Sequence, residues 1–221
     1  MARPPGHGPQ YEVKRQEIID TAAALFAKKG YAATGIVEIG EAVGLAKGAL
    51  YYYIGSKENL LVDIQARVLE PLLEIAHRIQ TLDAPAPVKL RLLSEELLNV
   101  IFERLDHIWV YEHDYRQLSK KNLDRMLRSR RQFEEVVRSL LVAAMDEGAF
   151  RDADPTLTTL QFLNLHNHTY QWVKPGEQWN ASFLSRTYCQ TLFNGFTGGT
   201  CDMDAVEAAV DSLRAPSPSP A

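Results

Sequence analysis

The stretch from residue 30 to residue 60 decides the fold of this chain: GYAATGIVEIGEAVGLAKGALYYYIGSKENL. Ile36, Ile39 and Val43 recur within it at helical spacing and form one apolar face. This spacing predicts a short helix over residues 36–43. Such a helix cannot bury enough surface alone, so it must pack against neighbouring helices.

A second short helix is predicted over residues 47–53, directly after a turn at Gly44. Glycine suits that turn because it adopts backbone conformations that are costly for other residues. Leu50 is the aliphatic anchor of the second helix. Two short helices joined by a glycine-containing turn are typical of a helix-turn-helix, whose second helix enters the major groove of DNA.

The second helix carries three consecutive tyrosines, and a helix this short cannot bury three adjacent rings. At least two of the rings must therefore face outward rather than serve the core. Tyrosine hydroxyls and lysine ammoniums suit phosphate contacts, ring edges can touch thymine methyls, and small residues allow the backbone to approach DNA. The candidate DNA-binding residues are Thr34, Val37, Lys47, Gly48, Ala49, Tyr51, Tyr52, Tyr53 and Lys57.

The rest of the chain also favours helices, and we predict an all-α protein of nine or ten helices. The first runs near 12–29 and stops at Gly30, and Ser56 caps a helix that reaches about residue 80. The further predicted helices cover 88–111, 112–118, 122–147 (with Asn122 as its cap), 155–172 (opened by Asp154-Pro155), 181–195 and 203–213. Residues 11–57 are predicted to form a helix-turn-helix domain and 58–213 a ligand-binding and dimerisation domain, between Pro- and Gly- or Ser-rich tails at 1–10 and 214–221.

Composition excludes several classes of protein. The 221 residues are 46% hydrophobic and 24% charged, which is ordinary for a globular protein, and no apolar run approaches the roughly 20 residues of a membrane-spanning helix. Two cysteines exclude a disulfide scaffold. The net charge of −4 is unevenly spread, because residues 1–57 sum to +2 and the remainder to −6. Such asymmetry favours two parts with different roles.

The N-terminal stretch resembles the DNA-binding domain of the tetracycline-repressor (TetR) family. The resemblance covers about 50 residues and rests on Ile18-Ile19, Ala22, Leu25-Phe26, Gly30-Tyr31, Thr34, Ile39, Gly44, Lys47-Gly48, Leu50-Tyr51-Tyr52 and Ser56-Lys57-Glu58. It implies a homodimeric regulator whose helix-turn-helix binds a palindromic double-stranded operator and whose C-terminal domain binds a small molecule. It also implies that Tyr51, Tyr52 and Tyr53 lie on the recognition helix, and that Lys57 holds a phosphate.

Five positions depart from the family pattern. Gly35 stands where Ser or Thr usually caps the second helix, and Gly40 replaces a usual Ala at a helix cost of about 1 kcal/mol. Val37 occupies a position that is commonly polar, and Ala46 and Ala49 replace frequent Ser or Thr. We therefore expect fewer hydrogen bonds to DNA, more apolar contact and weaker operator binding.

Two further stretches, 111–119 and 147–176, are similar to a TetR subgroup in which several members respond to acyl-CoA thioesters. A basic cluster at 120–131 has a local charge of +5 and is a candidate for CoA phosphates, although such runs are usually a solvated helix face. Aromatic residues suit an apolar ligand, although most could equally be core. The candidate ligand-binding residues are Phe102, Trp109, His113, Tyr115, Arg116, Arg130, Phe133, Phe162, His166 and Tyr170.

The chain shows no sign of catalytic or metal chemistry. The histidines lack zinc-site spacing, and no nucleophile elbow, phosphate-binding loop or dinucleotide fingerprint is present. We expect no enzyme activity, no metal and no cofactor. His113 and His166 are better placed to bond a polar group of a ligand, and Cys189 and Cys201 to be free thiols.

Aromatic and aliphatic residues on the last helices predict a dimer interface, because the resemblance implies that two helices of each subunit pair with two of the other. These are Trp172, Phe183, Tyr188, Leu192 and Phe196. We expect a cytoplasmic, membrane-independent repressor released by a small hydrophobic or acyl-CoA-type ligand. The alternatives are a regulator of efflux or detoxification that responds to a drug-like or aromatic ligand without CoA, and a helical binding module that has lost DNA binding.

Overall fold

The computed structural model describes residues 8–174, 176 and 178–198, and those residues form nine α-helices and two short 3-10 turns without any strand. The all-helical class is confirmed. The helices are α1 (Pro9–Lys29), α2 (Ile36–Ala42), α3 (Lys47–Ile54), α4 (Lys57–Gln80), α5 (Ala86–Glu103), α6 (Leu105–His113), α7 (Lys120–Asp146), α8 (Pro155–Asn167) and α9 (Ala181–Phe196), with 3-10 turns at Tyr115–Gln117 and His168–Gln171. The helix expected at 203–213, most of the N-terminal tail and the C-terminal tail lie outside the described residues.

The ends of the N-terminal helices follow the predicted signals. α1 ends at Gly30, which has a φ of +86° and donates its N–H to the Phe26 carbonyl at 2.7 Å. Gly44, between α2 and α3, has a φ of +68°. The Ser56 hydroxyl caps α4 by accepting the Asn59 N–H at 3.0 Å. These helix ends were predicted correctly because each depends on a local backbone or capping requirement that particular residue types meet.

Four predicted helices differ from the observed ones. The pattern over 88–111 divides at Arg104, whose non-helical backbone (φ −138°, ψ 41°) separates α5 from α6. The helix expected over 112–118 is replaced by the end of α6 and the 3-10 turn at Tyr115–Gln117. α7 begins at Lys120, so Asn122 is not its cap; its side-chain amide instead donates to Glu58 at 2.7 Å. The helix predicted over 155–172 ends at residue 167, where the chain tightens into a 3-10 turn.

The C-terminal helices pack around a single apolar core. α5 packs against α9 and α7, and α4 packs against α7, α5 and α6. The start of α5 is held by Glu147, at the end of α7, whose carboxylate accepts the Ala86 N–H at 3.0 Å. A carboxylate at a helix N-terminus stabilises the helix because it opposes the positive end of the macrodipole. α1 packs against α6, so the N-terminal helices rest directly on the helical body.

Candidate nucleic-acid interface and ligand cavity

One side of α3 is aliphatic and buried, and the opposite side carries tyrosines. Leu50 and Ile54 are both buried, so the helix has two anchors and not the single one predicted. On the other side, Tyr51 is 37% exposed and Tyr52 is 64% exposed. The expectation that at least two of the rings face outward is confirmed. Three small or basic neighbours are exposed beside them: Lys47, Gly48 and Ala49.

Tyr53 is half-buried because a ring from α1 covers it. Tyr11 stacks on Tyr53 with 4.8 Å between ring centroids and meets Tyr52 edge-on at 5.6 Å. Its hydroxyl also donates to the Tyr53 carbonyl at 3.4 Å. The sequence analysis missed Tyr11, because nothing in the α1 pattern indicates that its first turn lies beside α3.

The residues that precede α3 divide between surface and core. Val37, on α2, is 57% exposed and stands on the same helix-turn-helix unit as the tyrosines. Thr34 is buried, and its hydroxyl donates to the Gly30 carbonyl at 3.0 Å. Its side chain therefore holds the end of α1 in place and is not available on the surface, contrary to the predicted DNA contact.

Lys57 turns inward rather than toward a surface phosphate. Its ammonium donates to the Tyr31 carbonyl and lies 4.2 Å from the centroid of the Tyr31 ring. Burial lowers the pKa of this lysine, and the charge of Asp114 partly offsets that effect. The Asp114 carboxylate in turn accepts the Tyr31 N–H at 3.2 Å. In this conformation Lys57 joins the helix-turn-helix to the end of α6.

Charged side chains form a second junction between α1 and the body. Asp20 pairs with Arg67 of α4 at 2.7 Å, and its carboxylate lies 3.1 Å from His107 Nε2 of α6. Burial lowers the pKa of His107 to about 4, and Asp20 only partly offsets this, so the imidazole is neutral at pH 7. Arg15 pairs with Asp63 of α4 at 2.5 Å. These contacts connect α1 directly to α4 and α6.

An apolar cavity lies inside the body, between α4, α5, α6, α7 and α8. Its volume is about 40 Å³, which holds only a few water molecules, so it is closed in this conformation. Of the ten predicted ligand residues, Arg130 and Phe133 line it. The sequence analysis missed the other lining residues, which include Leu69, Tyr111, Glu112, Leu163 and Asn167.

Two predicted ligand residues belong to the core instead. Phe162 and His166 have no exposed surface and do not line the cavity. His166 Nδ1 donates to the Phe162 carbonyl at 2.7 Å, and Nε2 accepts the Ser94 hydroxyl at 2.6 Å. Burial lowers the pKa of His166 to about 4. This histidine is a satisfied neutral core residue, and no ring nitrogen remains to bond a ligand.

The other predicted ligand residues lie away from the cavity. The Trp109 ring is 40% exposed and stacks on His113 at 4.1 Å, and Tyr170 meets both rings edge-on. Arg116 is exposed and donates to the neighbouring Tyr115 hydroxyl at 3.1 Å. The remaining one, Phe102, lines an open cleft between α1 and the start of α6.

Some of the predicted dimer-interface residues are exposed and others are buried. Trp172 is 44% exposed and Phe183 is 52% exposed, whereas Tyr188 and Phe196 are buried in the body. The Tyr188 hydroxyl bonds Thr169 at 3.0 Å, and Phe196 packs on Phe150. Leu192 is half-buried. The exposed apolar surface of α8 adds two residues that the sequence analysis missed, Leu157 and Leu160.

Neither a metal cluster nor a membrane-spanning helix is found in the described ranges. No group of three His, Cys, Asp or Glu side chains there is arranged to hold a metal ion. No helix in the same part of the chain is long and apolar enough to cross a bilayer. Burial raises the pKa of the Cys189 thiol, which makes it less reactive, and Cys201 lies outside the described residues.

An exposed tyrosine-bearing helix on a buried aliphatic base, joined to a separate helical body, defines a helix-turn-helix DNA-binding protein. Family comparisons agree with this class. Residues 18–64 match the model for bacterial regulatory proteins of the tetR family, and residues 83–196 match the tetracyclin repressor-like C-terminal domain. The chain belongs to the tetracycline-repressor family. It is a TetR-type DNA-binding transcriptional repressor of a non-enzymatic family.

Individual relatives are more distant. The chain is 24% identical over 188 residues to the HTH-type transcriptional repressor KstR2 of Rhodococcus jostii, covering 82% of this chain and 90% of that one. Among solved structures, the ketosteroid transcriptional regulator KstR2 of Mycobacterium tuberculosis superposes with a TM-score of 0.78 at 24% identity, covering 83% and 95% of the two chains. AibR in complex with isovaleryl coenzyme A and operator DNA gives 0.71 at 22% identity, covering 83% and 98%.

Proposed function

We propose that this protein binds a palindromic operator as a homodimer, works in the cytoplasm, and is released from DNA by a small hydrophobic or acyl-CoA-type ligand. The observation that carries the proposal is the outward display of Tyr51 and Tyr52 on α3, above buried Leu50 and Ile54. Large rings are rarely left in water on a helix whose other face is fully packed. A duplex that accepts α3 in its major groove covers both rings.

The exposed face of α3 indicates how DNA is read. Its recognition surface offers one ammonium, Lys47, among apolar and aromatic groups, with Val37 of α2 nearby. Contacts to thymine methyls and sugars therefore outnumber charge-assisted bonds to phosphate. Such an interface gives a shallow dependence of operator affinity on salt, because few counterions are released on binding.

A second copy of the chain covers the exposed surface of α8 and α9. Leu157, Leu160 and Phe183 are 60%, 48% and 52% exposed, and the resemblance to a family of dimers favours pairing through these two helices. Pairing places two α3 helices side by side. A palindromic operator then requires them about one DNA turn, or roughly 34–36 Å, apart.

Ligand release follows from the position of the cavity. Its lining includes α4 and α6, the two helices that contact Asp20 of α1 through Arg67 and His107. A ligand larger than a few waters must spread these helices, which changes the spacing of the two α3 helices. The ligand acts only to the extent that it binds the spread state better than the closed one.

The chemical class of the ligand draws support from two sources. The cavity is lined mainly by aliphatic and aromatic side chains, which suits an acyl chain or a ring. One structural relative is in complex with isovaleryl coenzyme A, which favours a CoA thioester. The competing possibility is a drug-like or aromatic ligand without CoA, which the same apolar lining would accept.

A mobility-shift assay with the DNA flanking the protein's own gene tests this function. We expect a specific complex, and Tyr52→Ala should weaken it by about tenfold or more, because one lost base contact costs about 1–3 kcal/mol. The control is Trp109→Ala, which removes a 40% exposed ring from α6 instead of the 64% exposed ring of Tyr52. Equal affinities of Tyr52→Ala and wild type would contradict the placement of α3. Release by acyl-CoA but not by the free acid would identify the thioester class.

A further inference from the structure

A groove between α4 and α7 adjoins the apolar cavity. Its volume is about 170 Å³, and Gln65, Arg125, Met126 and Ser129 are among its lining residues. Leu69 of α4 lines both the groove and the cavity, so the two volumes meet at this side chain. Leucine and methionine side chains can change rotamer to open a passage, since both are flexible and carry no polar group.

Gln65 supplies an acceptor that nothing in the described part of the chain satisfies. The side chain is 3% exposed, and its Nε2 donates to the Val110 carbonyl at 3.4 Å. Its Oε1 is buried without a hydrogen-bond partner among the described residues. A buried acceptor left in this state destabilises the fold, so it points to a missing N–H or O–H donor.

The charges along the groove favour an anion. Arg125 lines it, and Lys121 and Arg128 lie at i−4 and i+3 on the same stripe of α7. None of the three forms an ion pair within the described ranges. The carboxylates that oppose them are Glu70, in the groove lining, Asp63, which is already paired with Arg15, and Asp124, which adjoins Arg125 on α7.

The cavity itself offers no comparable anion site. Its one cationic lining residue, Arg130, is bonded to Glu134 at 3.1 Å, and Glu112 lies in the same lining. Two carboxylates therefore outweigh the single guanidinium there. An anionic group of a ligand is repelled from the cavity and attracted to the groove.

We infer that the α4/α7 groove binds the phosphate-bearing end of the effector, while its apolar end enters the cavity past Leu69. Gln65 accepts an N–H or O–H from the linking segment, and Arg125 and Ser129 hold the phosphate. The ligand class is an apolar group joined to a phosphate through a segment that carries amide or hydroxyl donors, as in an acyl-CoA thioester. The inference rests on the proposed function, since it requires an effector, and it names the site where the polar half of that effector lies.

Calorimetry on the full-length protein with decanoyl-CoA, decanoate, decyl phosphate and free CoA tests the site. We expect Arg125→Ala to weaken the binding of decanoyl-CoA by roughly tenfold or more, because it removes a charge-assisted bond to phosphate, and to weaken the binding of decanoate, which carries a single carboxylate, much less. Arg131→Ala is the matched control, since this exposed arginine lies on α7 outside the groove. Gln65→Leu should weaken the binding of decanoyl-CoA but not that of decyl phosphate, which has no linking segment with amide or hydroxyl donors.

Three outcomes would overturn the inference. The first is an equal loss of decanoyl-CoA affinity in Arg125→Ala and Arg131→Ala. The second is an equal loss of affinity for decanoyl-CoA and for decanoate in Arg125→Ala. The third is a wild type that binds neither decanoyl-CoA nor decyl phosphate. Operator binding without ligand is measured for every variant. A wild type that does not bind the operator would instead contradict the proposed function. Failure of the groove site and failure of the proposed function are therefore distinguishable.

Discussion

Gly40 lies at the closest approach between α2 and the turn that leads to α3. Its carbonyl accepts the Leu45 N–H at 2.8 Å, which closes the turn. A Cβ at this position would lie 2.7 Å from the Leu45 carbonyl oxygen, a backbone atom that cannot swing aside. The glycine is therefore required by the approach of the turn in this chain, although helix propensity alone treats it as a defect.

Gly40→Ala is expected to destabilise the protein despite the better helix former. Propensity would stabilise it by about 1 kcal/mol, whereas forcing a methyl into a packed site costs about 1–3 kcal/mol. We expect the melting temperature to fall by a few degrees in thermal unfolding. Gly48→Ala is the control, because a Cβ there meets nothing within 4 Å, and it should be neutral or stabilising. A rise in melting temperature for Gly40→Ala would show that the turn between α2 and α3 moves to accommodate the added methyl group without cost.

His166 shows why residue type alone did not separate site from core. On the sequence, a histidine among aromatic residues on a long helix suits a ligand pocket and a core equally well. The fold decides the question, because Ser94 of α5 occupies one ring nitrogen and the helix backbone occupies the other. A partner 72 residues away leaves no trace in the local pattern.

At the scale of elements, helices with local end signals were predicted well and the others were not. Gly30, Gly44 and Ser56 each mark a boundary through their own backbone or capping chemistry. The break at Arg104 has neither Gly nor Pro beside it, and apolar spacing continues across it. The cavity could not be predicted either, because five helices contribute its walls and their packing is set by tertiary contacts.

The contact between α1 and α3 carries a prediction at this scale. Tyr11 stacks on Tyr53 and donates to its carbonyl, so it fixes the angle at which α3 leaves the body. Tyr11→Leu removes the stacking and the hydrogen bond, and we expect operator affinity to fall several-fold. Tyr11→Phe keeps the ring and should retain most of the affinity, because the hydrogen bond is long at 3.4 Å.

The salt dependence of binding distinguishes positioning from phosphate contact. If Tyr11 positions α3, the slope of log affinity against log salt should be the same in Tyr11→Leu and the wild type, since no counterion is involved. A lower melting temperature of Tyr11→Leu with unchanged operator affinity would show that the Tyr11 ring only stabilises the fold.

At the scale of the whole molecule, charge is separated along the chain. Residues 1–57 sum to +2 and the remainder to −6. An acidic body is repelled by DNA, which limits non-specific adhesion while the N-terminal domain keeps its contacts. The exposed basic stripe of α7 is the exception within that body, and its position beside the α4/α7 groove gives it a role apart from DNA binding.

The proposed dimer predicts that two copies are needed to hold an operator. We expect one copy to bind weakly because it offers few phosphate contacts, whereas a dimer binds the second half-site at a high effective concentration. Phe183→Glu places a charge on the exposed apolar surface of α9, where Phe183 is 52% exposed. We expect this variant to sediment as a monomer and to lose operator binding by about 100-fold or more.

The control for this variant is Leu82→Glu, which places the same charge on a 40% exposed leucine between α4 and α5. It should remain dimeric and bind DNA like the wild type. Because Phe183 lies on the surface, Phe183→Glu should also keep its helical content and its affinity for decanoate. A monomeric Phe183→Glu that binds the operator as tightly as the wild type would show that one α3 is sufficient, and the half-sites would then be read independently.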